Sequence, residues 1–563
     1  MSISASIRKL HRIRGVYTPE AAREKLDLME ALRREQIPKA SLLGSFHQSL
    51  CFIRAFPDGV THYQSARQAL QEFPRRIGSL SRHEAEATTD TGIEGSRLQY
   101  RFSYDVAVWL ARRCPDAVEV AWEEVQTFER LDELLRQIVL PVEADYYASG
   151  KVSEREWISL AKGDQPFTDF RWLMVQLGKR QSARRILAEM YDAADLPLSW
   201  RPGPKFAKGT NALALDRIKA RNRGMRKPRG RAGDEIERPL RKIRRLQKFD
   251  GENAISTAMA ALAVRHRETY HFNHANPEEV YDADVGYGVH ILVYGLLPGY
   301  RFSLETTMGY LILANDMPVG YGGASAIFHQ ANTGINIFDE YRGSEAPYLW
   351  VQVMRTYHQL FGCRHFMVNP YQIGAGNAEA LRSGAFWFYY RLGFRPVEPD
   401  IARLADSERS RAKAHEGYRS DIKTLKRLTR CDMYLRLSGA RKSEFFEEEW
   451  LEVCAAGASA VLSGQKNVER RSAARDAADG IMKILGTEKF SHWTKNEQQA
   501  LLQQAPIMSL IQDLRKWSRR ERVDLVKLIR AKGGVGEKDY IKHMRKHDRL
   551  RRSLARYCRN RTD

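Results

Sequence analysis

Asp339-Glu340-Tyr341-Arg342-Gly343-Ser344 stands between a strand-like run, TGINIFD, and a helical stripe that begins at 345. A strand ending at Asp339 that passes into a helix through Arg342, Gly343 and Ser344 is an anion-binding layout. Unpaired N–H groups at the helix start face an incoming phosphate, and the helix dipole favours its charge. Gly343 permits close backbone approach, Ser344 can cap the helix, and Arg342 adds a positive charge. An ordinary helix start, with Pro347 in its first turn and Glu345 favourable to the dipole, uses the same residues. A second informative stretch is NPYQIGAGN. Asn369-Pro370 ends a strand, Gly374, Ala375 and Gly376 form a flexible loop, and Asn377 can cap the next helix. Loops at strand ends of an open sheet carry binding groups, so Asn369, Tyr371, Gln372 and Asn377 are candidates for acceptor or cofactor contact. Loop chemistry alone accounts for the same four. No metal is expected, because no His/Cys/Asp cluster has ligand spacing. The 6 cysteines lie far apart, and Cys363, at a strand start, reads as a packing residue in a reducing compartment.

The elements that must position these groups follow from periodicity. GVHILVYGL and TTMGYLILA are short apolar, β-branched and aromatic runs, followed by a tight turn at 315–318 and by VGYGGASAIF, TGINIFD and CRHFMVN. Helical stripes at 345–361 and 377–392 interleave with them. The order of strands, helix, strand, helix, strand predicts an α/β unit, assigned to 251–400 and flanked by two mainly helical regions. Residues 1–200 read as helices, with Thr18 as an N-cap ahead of Pro19. Residues 401–563 read as helices again, with Thr494 or Asn496 as a cap. At 563 residues the chain is too long for one core.

The formal charge is +22, and the surplus is uneven. Residues 201–248 hold 17 Lys and Arg against 4 Asp and Glu. The middle, KARNRGMRKPRGRAG, has almost no apolar residue, so 201–250 is expected to be a mobile linker, least ordered over 217–233. The chain closes on IKHMRKHDRLRRSLARYCRNR, an amphipathic basic helix by the spacing of Met544, Leu550, Leu554 and Tyr557. RNA or DNA contact through 201–248 and 541–563 is one reading of both segments; a solubilising linker and a solvated helix face is the other. No apolar run of about 18 residues exists, so no membrane span is expected, and the N-terminus lacks a secretory h-region, which leaves a cytoplasmic protein.

Residues 300–398 resemble the core of the GNAT-type N-acyltransferases. The resemblance rests on AFWFYYRLGF at 385–394, similar to the family's Ala-x-x-x-Tyr helix running into Leu-Gly-Phe. It rests also on the hairpin LILANDMPVGYGGAS, and on INIFDEYRGSEAPYLW, similar to the fourth strand, pyrophosphate loop and third helix. The resemblance implies acetyl-coenzyme A or another acyl-coenzyme A as co-substrate and an amine as acceptor. It places Tyr389 as general acid, with Tyr390 as its neighbour, and the backbone at Asn336, Ile337 and Phe338 against the thioester. Arg342, Gly343 and Ser344 would cradle the pyrophosphate. Glu305, Asp339 and Glu340 flank the strands bordering the acceptor cleft, and His329 follows the third strand; Asp339 and Glu305 are the candidate bases. Three positions depart from the family pattern. Glu345 and Pro347 stand where it has glycine or alanine, and Arg382 stands where an Asn is common. A catalytically degenerate fold that holds RNA or a ribonucleoprotein through the basic segments is the alternative, with an aminoacyl-tRNA donor as a variant joining the two.

Overall fold

The computed structural model describes every residue except 181–182, 215–216, 223, 465–468, 488–489 and 563. Within the first 200 residues, helices surround a small antiparallel sheet of β1 (Leu98–Tyr100), β2 (Val118–Val120) and β3 (Leu198–Trp200), with β3 in the middle. Thr18 caps the helix Pro19–Arg34, accepting from the Ala21 N–H at 3.2 Å.

The apolar runs become the centre of a large mixed sheet. Its strands are β4 (Lys242–Arg245), β5 (Ala275–Gly286), β6 (Val289–Leu296), β7 (Thr306–Ala314), β8 (Met317–Ile327), β9 (Gln330–Thr333), β10 (Asn336–Ile337), β11 (His365–Val368), β12 (Arg395–Pro396) and β13 (Met433–Arg436). The order is β12-β13-β11-β9-β8-β7-β6-β5-β4, with β10 also on β8. Every residue of β6 and β7 is buried, which requires cover on both faces and explains runs without alternation. The Tyr294 hydroxyl donates to the Ala254 carbonyl of the helix Lys248–Ala263 at 3.1 Å, and Tyr357 of the helix Ala346–Phe361 donates to the Met308 carbonyl at 3.0 Å.

The expected turn at 315–318 is two residues long. Asn315 and Asp316 have φ of 46° and 73°, the left-handed geometry of a tight hairpin turn. Met317 and Pro318 already belong to β8. Asp316 is held by Arg54 at 2.9 Å and by the Tyr63 hydroxyl at 2.7 Å, so the hairpin tip is fastened to the first helical region.

Among the described strands, β9 and β11 form the parallel pair. Their register runs from His365 opposite Gln330 to Met367 opposite Asn332 and stops there. Gly334 and Ile335 interrupt the strand, and β10 returns to β8, with Asn336 opposite Tyr321 and Ile337 opposite Gly320. The fourth and fifth strands of the hairpin-rich unit therefore part beyond Asn332 and Met367.

Four expectations need correction. The unit assigned to 251–400 extends past both ends: β4 adds an edge, and β13, from the region read as helical, inserts between β11 and β12. The stripe at 377–392 is two helices, Ala378–Ser383 and Ala385–Arg391, broken at Gly384 with φ 72°. The terminal basic stretch is likewise two helices, Glu537–Lys546 and Asp548–Thr562. The 201–250 stretch is built into the fold rather than free. Arg221 is fully buried and bonded to Glu345, Asn211 donates to the Thr257 carbonyl at 2.9 Å, and the Leu213 N–H donates to Asp316 O at 2.9 Å. Local composition holds too few apolar residues to order it, but the partners lie on distant segments. Positions 215, 216 and 223 of that stretch are outside the described residues. No described helix is long and apolar enough to cross a membrane.

Candidate functional site

The parting of β9–β10 from β11 opens onto a cleft of about 510 Å³. Its floor is sheet backbone at Gly322–Ser325 and Asn332–Gly334, and its rim carries Glu305, Asn369, Gln372, Glu448 and Glu452. Gly309 of β7 and Gly323 of β8 face each other in register. A Cβ on Gly323 would lie 2.4 Å from the His271 ring, and one on Gly309 would lie 2.6 Å from the His271 Cβ. The glycine pair thus hollows the sheet so that the imidazole can lie on it. Burial lowers His271 to about 4, so the ring is neutral near pH 7.

The cleft is acidic in a strongly basic protein. Burial raises the Glu305 carboxyl, the neighbouring Glu448 raises it further, and Lys532 opposes both. Asn332 donates to Glu448 at 2.7 Å. Three carboxylates and a neutral imidazole make this a place for a cationic group. Glu448 and Glu452 come from the helix Glu449–Ser463 and the residue before it, and sequence reading missed both. The signal available was the acid run EFFEEEWLE, which reads equally well as a solvated face. His271 carried no signal, because only the long-range glycine pair gives it a seat.

Tyr389 is 2% exposed and sits beside the parted strands. Its phenol oxygen lies against the backbone N–H of Ile335, and its ring packs edge-on to Trp350 at 5.9 Å and to Phe394 at 5.6 Å. Burial raises the phenol above its usual value, so it stays protonated. Gly334, the residue before Ile335, lines the cleft. A Cβ on Gly334 would lie 2.4 Å from the Gln372 side chain, which therefore fills the wedge between the strands. Tyr390 points elsewhere, its hydroxyl donating to Asp406.

Along β10, the Phe338 N–H donates to the Val319 carbonyl at 3.0 Å, so it is spent inside the sheet. Alternation of the ladder turns the Ile337 N–H away from β8 toward the gap. Of these backbone candidates, Ile337 is available and Phe338 is not.

The other expected residues separate from the cleft. Asp339 lies in a 3-10 turn, two-thirds exposed and paired with Arg342 at 2.9 Å. Glu340, expected beside the acceptor cleft, is buried away from it. Burial pushes its carboxyl up, but Arg265 at 3.4 Å and Lys208 at 3.5 Å outweigh that and hold it at about 2. His329 lies outside the cleft, lowered by burial to about 4.

The loop ahead of the 346–361 helix is partly unlike the expected cradle. Gly343 has φ 81° and open space where a Cβ would stand, which suits close approach by a ligand. The Arg342 and Ser344 N–H groups close local turns onto Asp339 and Tyr341. The Arg342 guanidinium is taken by Asp339 and Glu379. Ser344 does not cap the helix; the N-cap is Glu345, without a side-chain cap bond. The Glu345 carboxylate turns inward, accepting from Arg221 Nε at 2.8 Å and from the Arg226 N–H at 2.8 Å. Its charge is therefore removed from the face where a phosphate would lie. Asn377 uses its side chain to cap the 378–383 helix, accepting from the Ala380 N–H at 3.0 Å, and Asn369 caps the preceding turn. Tyr371 is exposed, and Arg382 lines a separate basic cavity.

Among the described residues, no group of His, Cys, Asp and Glu is placed to hold a metal ion. The chain matches no protein-family model, no curated protein and no solved structure.

Proposed function

We propose that the chain is a GNAT-like N-acyltransferase that moves an acyl group from an acyl-coenzyme A to an amine carrying further positive charge. The observation that carries the reading is the junction of three features. A parallel strand pair parts, a buried phenol stands at the break between β9 and β10, and an acidic cleft opens on the other side of Gly334. An acyl-coenzyme A would supply a thioester carbonyl and a thiolate leaving group. Glu305 takes the proton of the acceptor ammonium, its raised carboxyl being closer in affinity to an amine than an ordinary carboxylate is. Glu448 and Glu452 hold the acceptor's remaining charge. The Ile337 N–H faces the gap where an oxyanion would develop. Tyr389 accepts from Ile335 and keeps its own O–H to protonate the leaving sulfur. On the donor side, Gly343 is the residue that suits a phosphate; Arg342 would have to leave Asp339 and Glu379 to reach one.

That last point favours the second reading, a fold of this kind that has lost its donor and binds nucleic acid. The test is release of free thiol from acetyl-coenzyme A in the presence of a polyamine panel, with Tyr389→Phe beside the native chain. General-acid loss lowers turnover about 10²–10⁴-fold with the acceptor KM little changed. Native protein that neither releases thiol nor gains thermal stability with acetyl-coenzyme A removes the enzyme reading.

A further inference from the structure

Beyond the cleft, a cavity of about 870 Å³ lies between the helices Ala385–Arg391, Pro399–Ala414 and Ile422–Leu428. Its lining includes Arg382, Arg391, Arg395, Arg409, Lys413 and Arg419 and no carboxylate. Among the described residues, none of these six forms an ion pair. The nearby acids are occupied with building the walls. Glu408 is buried and accepts from the hydroxyls of Tyr418 at 2.9 Å and Ser420 at 2.6 Å, and it pairs with Arg411. Asp406 accepts from the Tyr390 hydroxyl. The Tyr390 ring is flanked by two guanidinium groups, Arg395 at 4.1 Å and Arg409 at 5.7 Å from its centroid.

Six cations without an ion pair around one cavity repel one another, and salt screens such repulsion only beyond the Debye length of about 8 Å. A concave wall of one sign concentrates counter-ions, so the cavity selects an anion with several charges. Part of its lining is apolar: Trp387, half-buried, lies there with Leu381, Leu425 and the exposed Ile422. The anion must therefore also present a flat, weakly polar face. A nucleotide has both. The cavity is also not closed: a second one of about 920 Å³ shares Arg391, Arg395 and Arg409 with it and continues to Arg231 and Arg436, past Asp234 and Glu237. A groove that long exceeds one nucleotide.

We infer that the groove from Arg419 through Trp387 to Arg231 binds single-stranded nucleic acid, with a base on Trp387 and phosphates along the arginines. The inference is independent of the acyl-transfer reading. It places the contact at 381–436 and 228–237, so the terminal basic helix is not required.

The test is fluorescence anisotropy of the full chain with a labelled 12-nucleotide uridine oligomer across a salt series. Binding should weaken linearly in log salt. Arg409 and Lys413 are exposed on one helix, so R409Q/K413Q should fold normally and flatten the slope by about 1.4, at about 0.7 per phosphate contact. Trp387→Ala should weaken binding about 5- to 150-fold with the slope unchanged. An unlabelled strand should displace the probe, while adenosine monophosphate and coenzyme A should not. Displacement by the mononucleotide would make this a small-ligand site, and displacement by coenzyme A would make it part of the donor site; either overturns the inference. So does a salt slope left unchanged in R409Q/K413Q, which puts the strand elsewhere, or native protein that does not bind the oligomer at low salt.

Discussion

Glu345→Ala should destabilise the junction between the basic stretch and the central sheet, and the structure sets the size of the effect. Arg221 and Glu345 have side chains without solvent exposure. The guanidinium meets the carboxylate through Nε at 2.8 Å and Nη2 at 3.3 Å, and its Nη1 donates to the carbonyls of Tyr287 at 2.7 Å and Lys219 at 3.2 Å. Removing the carboxylate strands a buried cation, which typically costs about 3–5 kcal/mol. The Arg226 N–H loses its acceptor as well. At 1.36 kcal/mol per tenfold, amide protection over 217–229 and 340–349 should fall about 10²- to 10⁴-fold. Hydrogen exchange read by mass spectrometry suits this chain, because several structural units make one global unfolding transition an unsafe measure. The double variant R221M/E345L leaves no buried charge and should recover most of the loss. Loss of protection below about fivefold in Glu345→Ala, or a double variant worse than the single, would refute the claim that this pair joins the segments. Because the carboxylate faces inward, Glu345→Ala should not improve affinity for coenzyme A.

Three further outcomes are expected. With Glu305 as base, kcat/KM for the acceptor should rise with pH through an inflection above the ordinary carboxylate range, because the raised carboxyl must ionise to act. Glu448→Gln should move that inflection down, and a pH–rate profile of the two proteins checks it. Glu340 is held at about 2 when folded, below the ordinary carboxylate value. It therefore contributes stability above the unfolded pKa of about 4.3 that is lost as pH falls toward 2. Glu340→Gln should be less protected at pH 7 and should lose less protection between pH 5 and 3, read from hydrogen exchange of the surrounding amides corrected for the intrinsic pH dependence of exchange. Arg301 donates to Leu296 O at 3.1 Å and to the carbonyls of Lys532, Gly534 and Val535 at 2.7–3.0 Å, beside the buried Glu279. Arg301→Ala should loosen the terminal helices from the sheet, with trypsin cutting over 515–552 much faster than in the native chain.

The sequence by itself determined what is encoded within one element. The runs of β6 and β7 announce buried strands because apolar, β-branched and aromatic residues follow one another without polar alternation, and Asn315-Asp316 announces a hairpin because those residues tolerate left-handed backbone. Thr18 and Thr494 announce helix starts because a cap bonds three residues on. The stripe at 345–361 announces a helix by its period alone. Tertiary structure decided the rest. A basic, apolar-poor stretch reads as mobile until Glu345, Thr257 and Asp316 arrive from elsewhere to bond it. The four residues of β13 carry no turn signal and become a strand only between β11 and β12. Asp339 and Glu340 looked like cleft acids by proximity in sequence, yet one is paired in a turn and the other buried against Lys208 and Arg265. The acids that line the cleft with Glu305, namely Glu448 and Glu452, lie more than a hundred residues along the chain. Propensities and caps depend on neighbours within about four positions, whereas ion pairs and sheet insertion depend on which distant segments pack together, and no local pattern records that choice.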